Sequence, residues 1–357
     1  MERRTIPALV ACLVLAACGG ADEPPGMVGV DAGRGGVGGT AQTLVHDFPA
    51  FSVTPGEEHS SQCQSWTLDN DETLYVNTVE MTNGGSFHHS NWFYVPEDRY
   101  DGPDGTWQCA DRSFDGAIAA GVGGVLFAQS TQVAEEAQRF PDRHALAIPT
   151  RSRIVGNVHI LHAAPEPRET HIQLRLHTLA GADADVLLAP FSLTYFGLDL
   201  PPHQQSRFTV ECDIRGEHLR RLDRLPDFRF YYVLPHYHYL GQMMRLEAVD
   251  AAGAARTVYD IETTVGEPLG STLAPPVSVE GADSLRLTCG FDNPGDNRIR
   301  WGIGDQEMCI FLAYTDSPYT WGGGMLGTAD DNREVTVTDG ISMNEGPCVL
   351  VTAEAGR

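Results

Sequence analysis

The feature that most constrains the fold is a recurring alternation of apolar and polar residues, interrupted by turn-forming clusters. Such alternation is typical of strands with one buried face, and Gly, Pro, Asn and Asp clusters typically end them. Helical periodicity is limited to 130–140 and 218–225. The sequence therefore predicts an all-β protein made of β-sandwiches or jelly rolls. The clearest predicted strands are 153–160, 170–176, 207–214, 228–234, 244–249 and 334–338.

The length of the chain and a break in this pattern predict two domains. A chain of 357 residues is too long for one small sandwich. Prolines at 190, 201 and 202 interrupt the alternation. We therefore expect an N-terminal domain at 43–193 and a C-terminal domain at 194–357. The preceding segment, 19–42, is rich in glycine and poor in bulky apolar residues, which is typical of a flexible linker.

The first residues predict export. Arg3 and Arg4 precede an apolar run, 6–15, that is too short to span a bilayer. The run ends in Leu-Ala-Ala-Cys-Gly at 15–19, which resembles the bacterial lipoprotein cleavage box. The resemblance implies a signal peptide at 1–18, lipidation of Cys18 and attachment to the cell envelope, at the outer membrane or the cell surface. An ordinary cleaved secretory signal is the alternative, and it also predicts export.

The charge and the cysteine content limit which partners and which cellular compartment the chain can have. The net charge is −24, with 24 basic and 48 acidic residues, which argues against a nucleic-acid partner because phosphate binding needs clustered cations. Six cysteines follow the export segment, and an even number in an exported chain indicates disulfides. Several pairings are open from the sequence. The absence of Cys-x-x-Cys disfavours a zinc ribbon or a thioredoxin-like site.

Two groups of residues are candidate metal ligands. Neighbouring histidines face opposite sides of a regular strand, so His88 and His89 can share one ion only if the strand is bulged or the two rings use different reach. His159 lies in an apolar strand, where a structural core histidine is the alternative, and His162 is a rival for its role. The candidates are His88, His89 and His159 in the first domain, and His236, His238 and Met308 in the second.

The second group combines nitrogen and sulfur donors. His236 and His238 are two residues apart on a strand, so their side chains point to the same face. A core methionine is the alternative for Met308, and a thiolate ligand is the alternative for Cys309. If Met308 faces a metal, strand alternation turns Cys309 away and leaves it free for a disulfide. A thioether favours Cu(I), whereas imidazole suits several metals, so two unequal copper sites and redox chemistry are predicted.

Taken in order, His-His, Val-His, His-x-His and Glu-Met-Cys resemble the copper type II, ascorbate-dependent monooxygenases, the family of peptidylglycine α-hydroxylating monooxygenase and dopamine β-hydroxylase. The resemblance covers roughly 45–350. It implies two tandem jelly-roll β-sandwich domains facing each other across a solvent-filled cleft, with two coppers per chain. It also implies that the first histidine group holds the electron-supplying copper and that the second group holds the oxygen-binding copper. The implied disulfides are Cys63–Cys109, Cys212–Cys348 and Cys289–Cys309.

The chain departs from the peptide-amidating branch at three positions. That branch has an arginine, an asparagine and a tyrosine that hold the substrate carboxylate, and the matching residues here are Leu234, Ile310 and Leu312. Glycine-extended peptides are therefore not expected as substrates, and a less charged or more apolar molecule fits better.

The expected function is hydroxylation of an aliphatic C–H bond of a small organic substrate, with O2 and ascorbate or another reductant. The catalytic residues are then His236, His238 and Met308, in a monomer that meets the membrane only through its lipid. A copper-binding or copper-sensing lipoprotein without turnover is the alternative. A hydrolytic zinc site at His88, His89 and His159 is a third reading, but it leaves the second ligand group without a role.

Overall fold

A computed structural model of the protein describes residues 39–129, 132–263, 269–302 and 304–355. The expected signal peptide, Cys18 and most of the expected linker lie outside these ranges. Within them the chain is mostly strand, so the expected all-β fold is confirmed.

The strands of the first half are β1 (Thr43–Asp47), β2 (Phe51–Val53), β3 (Glu58–Thr67), β4 (Leu74–Asn83), β5 (Phe87–Pro96), β6 (Gly105–Gln108), β7 (Gly124–Gln129), β8 (Glu135–Arg139), β9 (His144–Ile148), β10 (Ser152–Leu161), β11 (Arg168–Thr170) and β12 (Ile172–Leu179). Those that follow are β13 (Val186–Tyr195), β14 (Asp199–Leu200), β15 (Gln204–Asp213), β16 (Arg229–His236), β17 (Gly241–Val249), β18 (Ala255–Glu262), β19 (Ser271–Ser278), β20 (Ser284–Asn293), β21 (Ile299–Arg300), β22 (Ile310–Thr315), β23 (Tyr319–Met325), β24 (Glu334–Thr338), β25 (Ile341–Gly346) and β26 (Val349–Glu354).

Helices are short in the described ranges. They are α1 (Gly116–Val122) and α2 (Ile214–Leu222), with 3-10 turns at Cys109–Arg112, Gly181–Asp183 and Ala329–Asp331. The first part of the helix predicted at 218–225 is confirmed by α2. The helix predicted at 130–140 is wrong, because 135–139 form β8, which pairs with β4 and buries every second residue. No described helix is long and apolar enough to cross a membrane.

Each half of the chain forms a sandwich of two sheet layers. In the first half, β1, β12, β4, β9 and β8 pack against a five-stranded sheet of order β6-β3-β10-β5-β7. In the second half, β13, β22, β16, β19, β23 and β26 pack against a six-stranded sheet of order β18-β17-β20-β15-β25-β24. Apolar residues at alternate positions fill both cores, such as Val76, Trp92 and Ile154 in the first and Phe208, Leu287 and Phe311 in the second.

Strand β13 joins the two halves. Its residues Val186–Leu188 pair in parallel with β9, and Ala189–Thr194 pair with β22, so one eleven-stranded sheet runs through both sandwiches. The expected domain boundary between Leu193 and Thr194 lies inside this strand. The two halves are therefore continuous in backbone hydrogen bonding.

The three disulfides that the family resemblance implied are confirmed. They are Cys63–Cys109, Cys212–Cys348 and Cys289–Cys309. Such disulfides persist in oxidising compartments, so the protein is an exported one.

Candidate metal centre and adjoining cavity

A local irregularity in β5 brings His88 and His89 to the same place. His89 pairs with His159 on β10, and the next pair is Phe87 with Ile160, so His88 is the extra residue of a bulge. A bulge redirects a side chain that a regular strand would send to the opposite face. The bulge, which is one of the two conditions under which these neighbouring histidines can share one ion, is therefore present.

The first histidine group is compact. One ring nitrogen from each of His88, His89 and His159 lies within 4.8 Å of the other two. The Nε2 of His159 donates to Oε1 of Glu58 at 2.8 Å, which leaves Nδ1 as a lone pair facing Nε2 of His89 at 3.0 Å. A carboxylate behind an imidazole is the usual way to fix the tautomer of a metal ligand. Glu58 was not predicted from the sequence as a partner of His159.

His236 is the last residue of β16, and His238 lies two residues beyond it. Both are buried, and their ring centroids lie 5.2 Å apart. The Nδ1 of His238 donates to the carbonyl oxygen of Gln306 at 2.7 Å, so Nε2 carries the lone pair of the neutral ring. This Nε2 atom is buried and has no hydrogen-bond partner among the described residues. A buried, unpartnered imidazole lone pair fits a metal ligand, since a polar atom left without a partner is otherwise costly.

The carboxylate of Glu307 connects the two segments that carry the second ligand group. It is fully buried and accepts the backbone N–H groups of His238 at 2.9 Å, Leu240 at 2.7 Å and Met308 at 3.3 Å. Burial raises the pKa of Glu307 to about 7, although the three N–H donors act in the opposite direction. Glu307 therefore holds the backbone at His238 and Leu240 next to the backbone at Met308.

Met308 and Cys309 face opposite ways. Cys309 is bonded to Cys289 in the core of the second sandwich, whereas Met308 lines a cavity beside His236. The conditional expectation that Met308 could face a metal while Cys309 forms a disulfide agrees with this arrangement.

The two ligand groups lie against each other. The ring centroid of His89 is 5.7 Å from that of His236 and 6.4 Å from that of His238, and His88 lies 6.5 Å from His238. A solvent-filled cleft between two separate sites was expected, and the five rings instead form one cluster, which we call the histidine cluster. The reason lies in β16 and β22, which are buried on both faces: Phe230 and Phe311 enter the second core, while Leu234 and Tyr314 pack on the first half.

Three rings of the histidine cluster, those of His88, His89 and His238, favour the neutral form. Burial, followed by repulsion from His159, lowers the pKa of His88 from 6.5 to about 4. Burial also lowers the pKa of His89 well below its usual value, and that of His238 is lowered for the same main reason. A neutral imidazole is the form that binds a metal ion, so these side chains are ready for coordination at neutral pH.

A cavity of about 350 Å³ adjoins the histidine cluster. On the second half, Leu234 pairs with Leu312 and His236 pairs with Ile310, and all four line the cavity. The three residues that replace the polar grips of the peptide-amidating branch therefore lie side by side on this wall. On the first half, the lining includes His89, Asn91, Phe93, Val125 and Asn157.

His162, the rival of His159 as a metal ligand, is excluded by its hydrogen bonds. His162 uses both ring nitrogens: Nδ1 accepts from the hydroxyl of Ser86 at 2.7 Å, and Nε2 donates to the carbonyl oxygen of Glu166 at 2.7 Å. It is a structural histidine.

The sequence also offered a signal for two residues of the cavity, Asn91 and Asn157, which were not predicted as site residues. Each lies two strand positions from a candidate ligand and must share its face.

No protein-family model matches the sequence, and no curated protein matches it. Among solved structures, PNGase F, a glycosylasparaginase from Flavobacterium meningosepticum, matches at 7% identity over 88% of this chain and 100% of its own, with a TM-score of 0.34. The major capsid protein P2 from bacteriophage PM2 matches at 8% over 77% and 97%, with a TM-score of 0.28. The PBSX exported protein XepA matches at 6% over 76% and 86%, with a TM-score of 0.21. Likenesses at this level carry no argument about function.

Proposed function

We propose that the protein is a copper-dependent monooxygenase that hydroxylates an aliphatic C–H bond of a small substrate. One oxygen atom of O2 enters the C–H bond and the other leaves as water, with two electrons and two protons supplied through an external reductant such as ascorbate. The observation that carries the proposal is the convergence of five imidazoles and one thioether beside a largely apolar cavity.

The donor set suits copper. His88, His89 and His159 would hold one ion through nitrogen alone, and His236, His238 and Met308 would hold a second through two nitrogens and a sulfur. Copper would supply the one-electron steps and the activation of O2, with the thioether favouring Cu(I). Glu58 and the carbonyl oxygen of Gln306 orient the rings, as the outer partners of metal ligands do.

The cavity supports the choice of a hydroxylating enzyme over a carrier. A carrier needs ligands only, whereas a C–H bond must be held next to the reactive metal and away from bulk water. Met308 and His236 line the cavity together with Leu234, Ile310 and Leu312, so an apolar substrate would place its carbon beside the second ligand group. Attachment to the cell envelope through Cys18 is part of the same proposal.

Metal content and turnover test the proposal. The purified, copper-reconstituted protein is expected to hold two coppers per chain and to consume O2 with ascorbate when small aliphatic or phenylalkyl compounds are offered, with hydroxylated product found by mass spectrometry. His236→Ala should remove product formation, while His203→Ala, an exposed histidine paired with Asp296, should retain it. Two bound coppers without any substrate-dependent O2 uptake would favour the copper-binding lipoprotein. One tight zinc and no copper would overturn both.

A further inference from the structure

The two walls of the cavity differ in chemistry at the same distance from the histidine cluster. On the first half, His89 pairs with His159, and two residues further along, Asn91 pairs with Asn157. On the second half, the row of His236 and Ile310 is followed by the row of Leu234 and Leu312. Two residues of strand span roughly 6–7 Å. A molecule lying in the cavity with one end at the histidine cluster therefore has two carboxamides on one side and two leucines on the other.

The carboxamides have unused hydrogen-bonding capacity. In the described part of the chain, the side chain of Asn91, which lines the cavity, makes no hydrogen bond. The amide nitrogen of Asn157 is occupied by the carbonyl oxygen of Gln62 at 3.3 Å and by Sγ of Cys109 at 3.2 Å, which leaves its oxygen as an acceptor. Together they offer donors and acceptors to a bound molecule, and neither carries a charge.

The remaining lining disfavours ions. Its described residues include no Asp, Glu, Lys or Arg, and the opposite wall is aliphatic. An ammonium or carboxylate group bound here would lose its hydration without gaining an oppositely charged side chain of the lining, which is unfavourable. A neutral amide, hydroxyl or carbonyl group pays a smaller cost and is compensated by the two asparagines.

We infer that the substrate is a neutral, mainly apolar molecule whose hydrogen-bonding group is held by Asn91 and Asn157, about four to five bonds from the carbon that reacts. The inference rests on the proposed function for the identity of the reacting end, and it adds the class of the substrate. Asn91 and Asn157 are then specificity-determining residues. The cavity volume of about 350 Å³ suits a small molecule, since ligand pockets span roughly 300–1,000 Å³.

Three probes with one skeleton test the inference: 4-phenylbutanamide, 4-phenylbutylamine and 4-phenylbutanoate. Binding to the full-length protein is measured by isothermal titration calorimetry, with and without copper. The neutral amide should bind at least tenfold more tightly than either ion. Asn91→Leu should weaken amide binding at least tenfold, and Asn91→Asp should reverse the order so that the ammonium probe binds best. Asn297→Asp, which adds the same charge at an exposed position, should keep the wild-type order.

The outcomes separate this inference from the proposed function. Equal binding of the three probes, an unchanged order in Asn91→Asp, or no amide binding at millimolar concentration would overturn the substrate class. Copper content measured on the same wild-type samples reports on the metal centre independently, so a protein that binds two coppers but fails these tests loses only the substrate assignment. Asn157→Leu, checked by circular dichroism, provides a second variant if Asn91→Asp does not fold, and it should also weaken amide binding.

Discussion

Replacing Glu307 by alanine tests how the second ligand group is held. The change leaves two buried backbone N–H groups, those of His238 and Leu240, without their acceptor, while the longer bond to Met308 contributes less. Each orphaned donor costs about 1–3 kcal/mol, or about 2–6 kcal/mol together. The carboxylate is itself unfavourable when ionised, because the difference between 4.5 and a pKa of about 7 corresponds to about 3 kcal/mol. The two effects partly cancel, so the net change in stability at neutral pH should lie between a gain of about 1 kcal/mol and a loss of about 3 kcal/mol.

Copper affinity should fall whether or not the stability changes. Without Glu307, the backbone on both sides of the ligands can shift, and removal of such outer partners typically costs 10–100-fold in metal affinity. Cu(I) affinity is measured by competition with a chromophoric chelator, and stability by thermal unfolding followed by circular dichroism. Glu307→Gln keeps one acceptor oxygen without the charge, so its copper affinity should lie between those of Glu307→Ala and the wild type.

A matched control is Glu211→Ala. Glu211 also accepts several hydrogen bonds, from Ser284 and Arg286, but on the partly exposed surface of β15. It should lose less than about 1 kcal/mol of stability and retain full copper affinity. If Glu307→Ala binds both coppers as tightly as the wild type does, then the carboxylate does not position the ligands.

Three further predictions concern the histidine cluster and Met308. Met308→Leu keeps the side-chain volume and should change the free energy of unfolding by less than about 1.5 kcal/mol, yet lower Cu(I) affinity at least tenfold; unchanged affinity in the chelator competition would make Met308 a packing residue. The copper-free protein should lose stability as the pH falls from about 6.5 to 4, because the unfolded chain takes up protons that the buried histidines do not take up in the folded state. His88, with its pKa of about 4, accounts for about 2 kcal/mol of this loss after allowance for its partial exposure. Urea unfolding across this range should show the loss, and His88→Asn should reduce it by that share while His89 and His238 retain the rest; an unchanged profile in His88→Asn would contradict the lowered pKa of His88. With both sites loaded with Cu(II), electron paramagnetic resonance should show a coupled or broadened signal because the ligand groups touch, and His236→Ala should restore a single isolated signal; two sharp independent signals from the wild type would contradict the contact.

Strand periodicity predicted much of the local geometry of the site. The spacing of His236 and His238 placed them on one face, and alternation separated Met308 from Cys309. The disulfide pairings came from the family resemblance, because spacing alone could not choose among them. The bulge at His88 could be stated only as a condition, since it depends on the register between β5 and β10 rather than on the local sequence.

The missed features are those set by partners distant in sequence. Glu58 meets His159 across 101 residues, and Glu307 meets His238 across 69. A helix was predicted at 130–140, but residues 135–139 form a strand that pairs with β4. Tertiary strand pairing outweighs a weak local preference for helix. The closeness of the two ligand groups was also missed, because nothing in the local pattern shows that β9 and β22 share a neighbour.

Because β13 pairs with both β9 and β22, the register of these two pairings determines the distance between the ligand groups. Backbone hydrogen bonds on both sides of one ten-residue strand fix where each sandwich begins, so there is no segment of free backbone at which the halves could swing apart. Neither half can be excised without leaving a raw sheet edge, which is prone to aggregation. Shuffling the halves as interchangeable modules between related chains would therefore require the recipient to reproduce the parallel pairing of Val186–Leu188 with His144–Leu146.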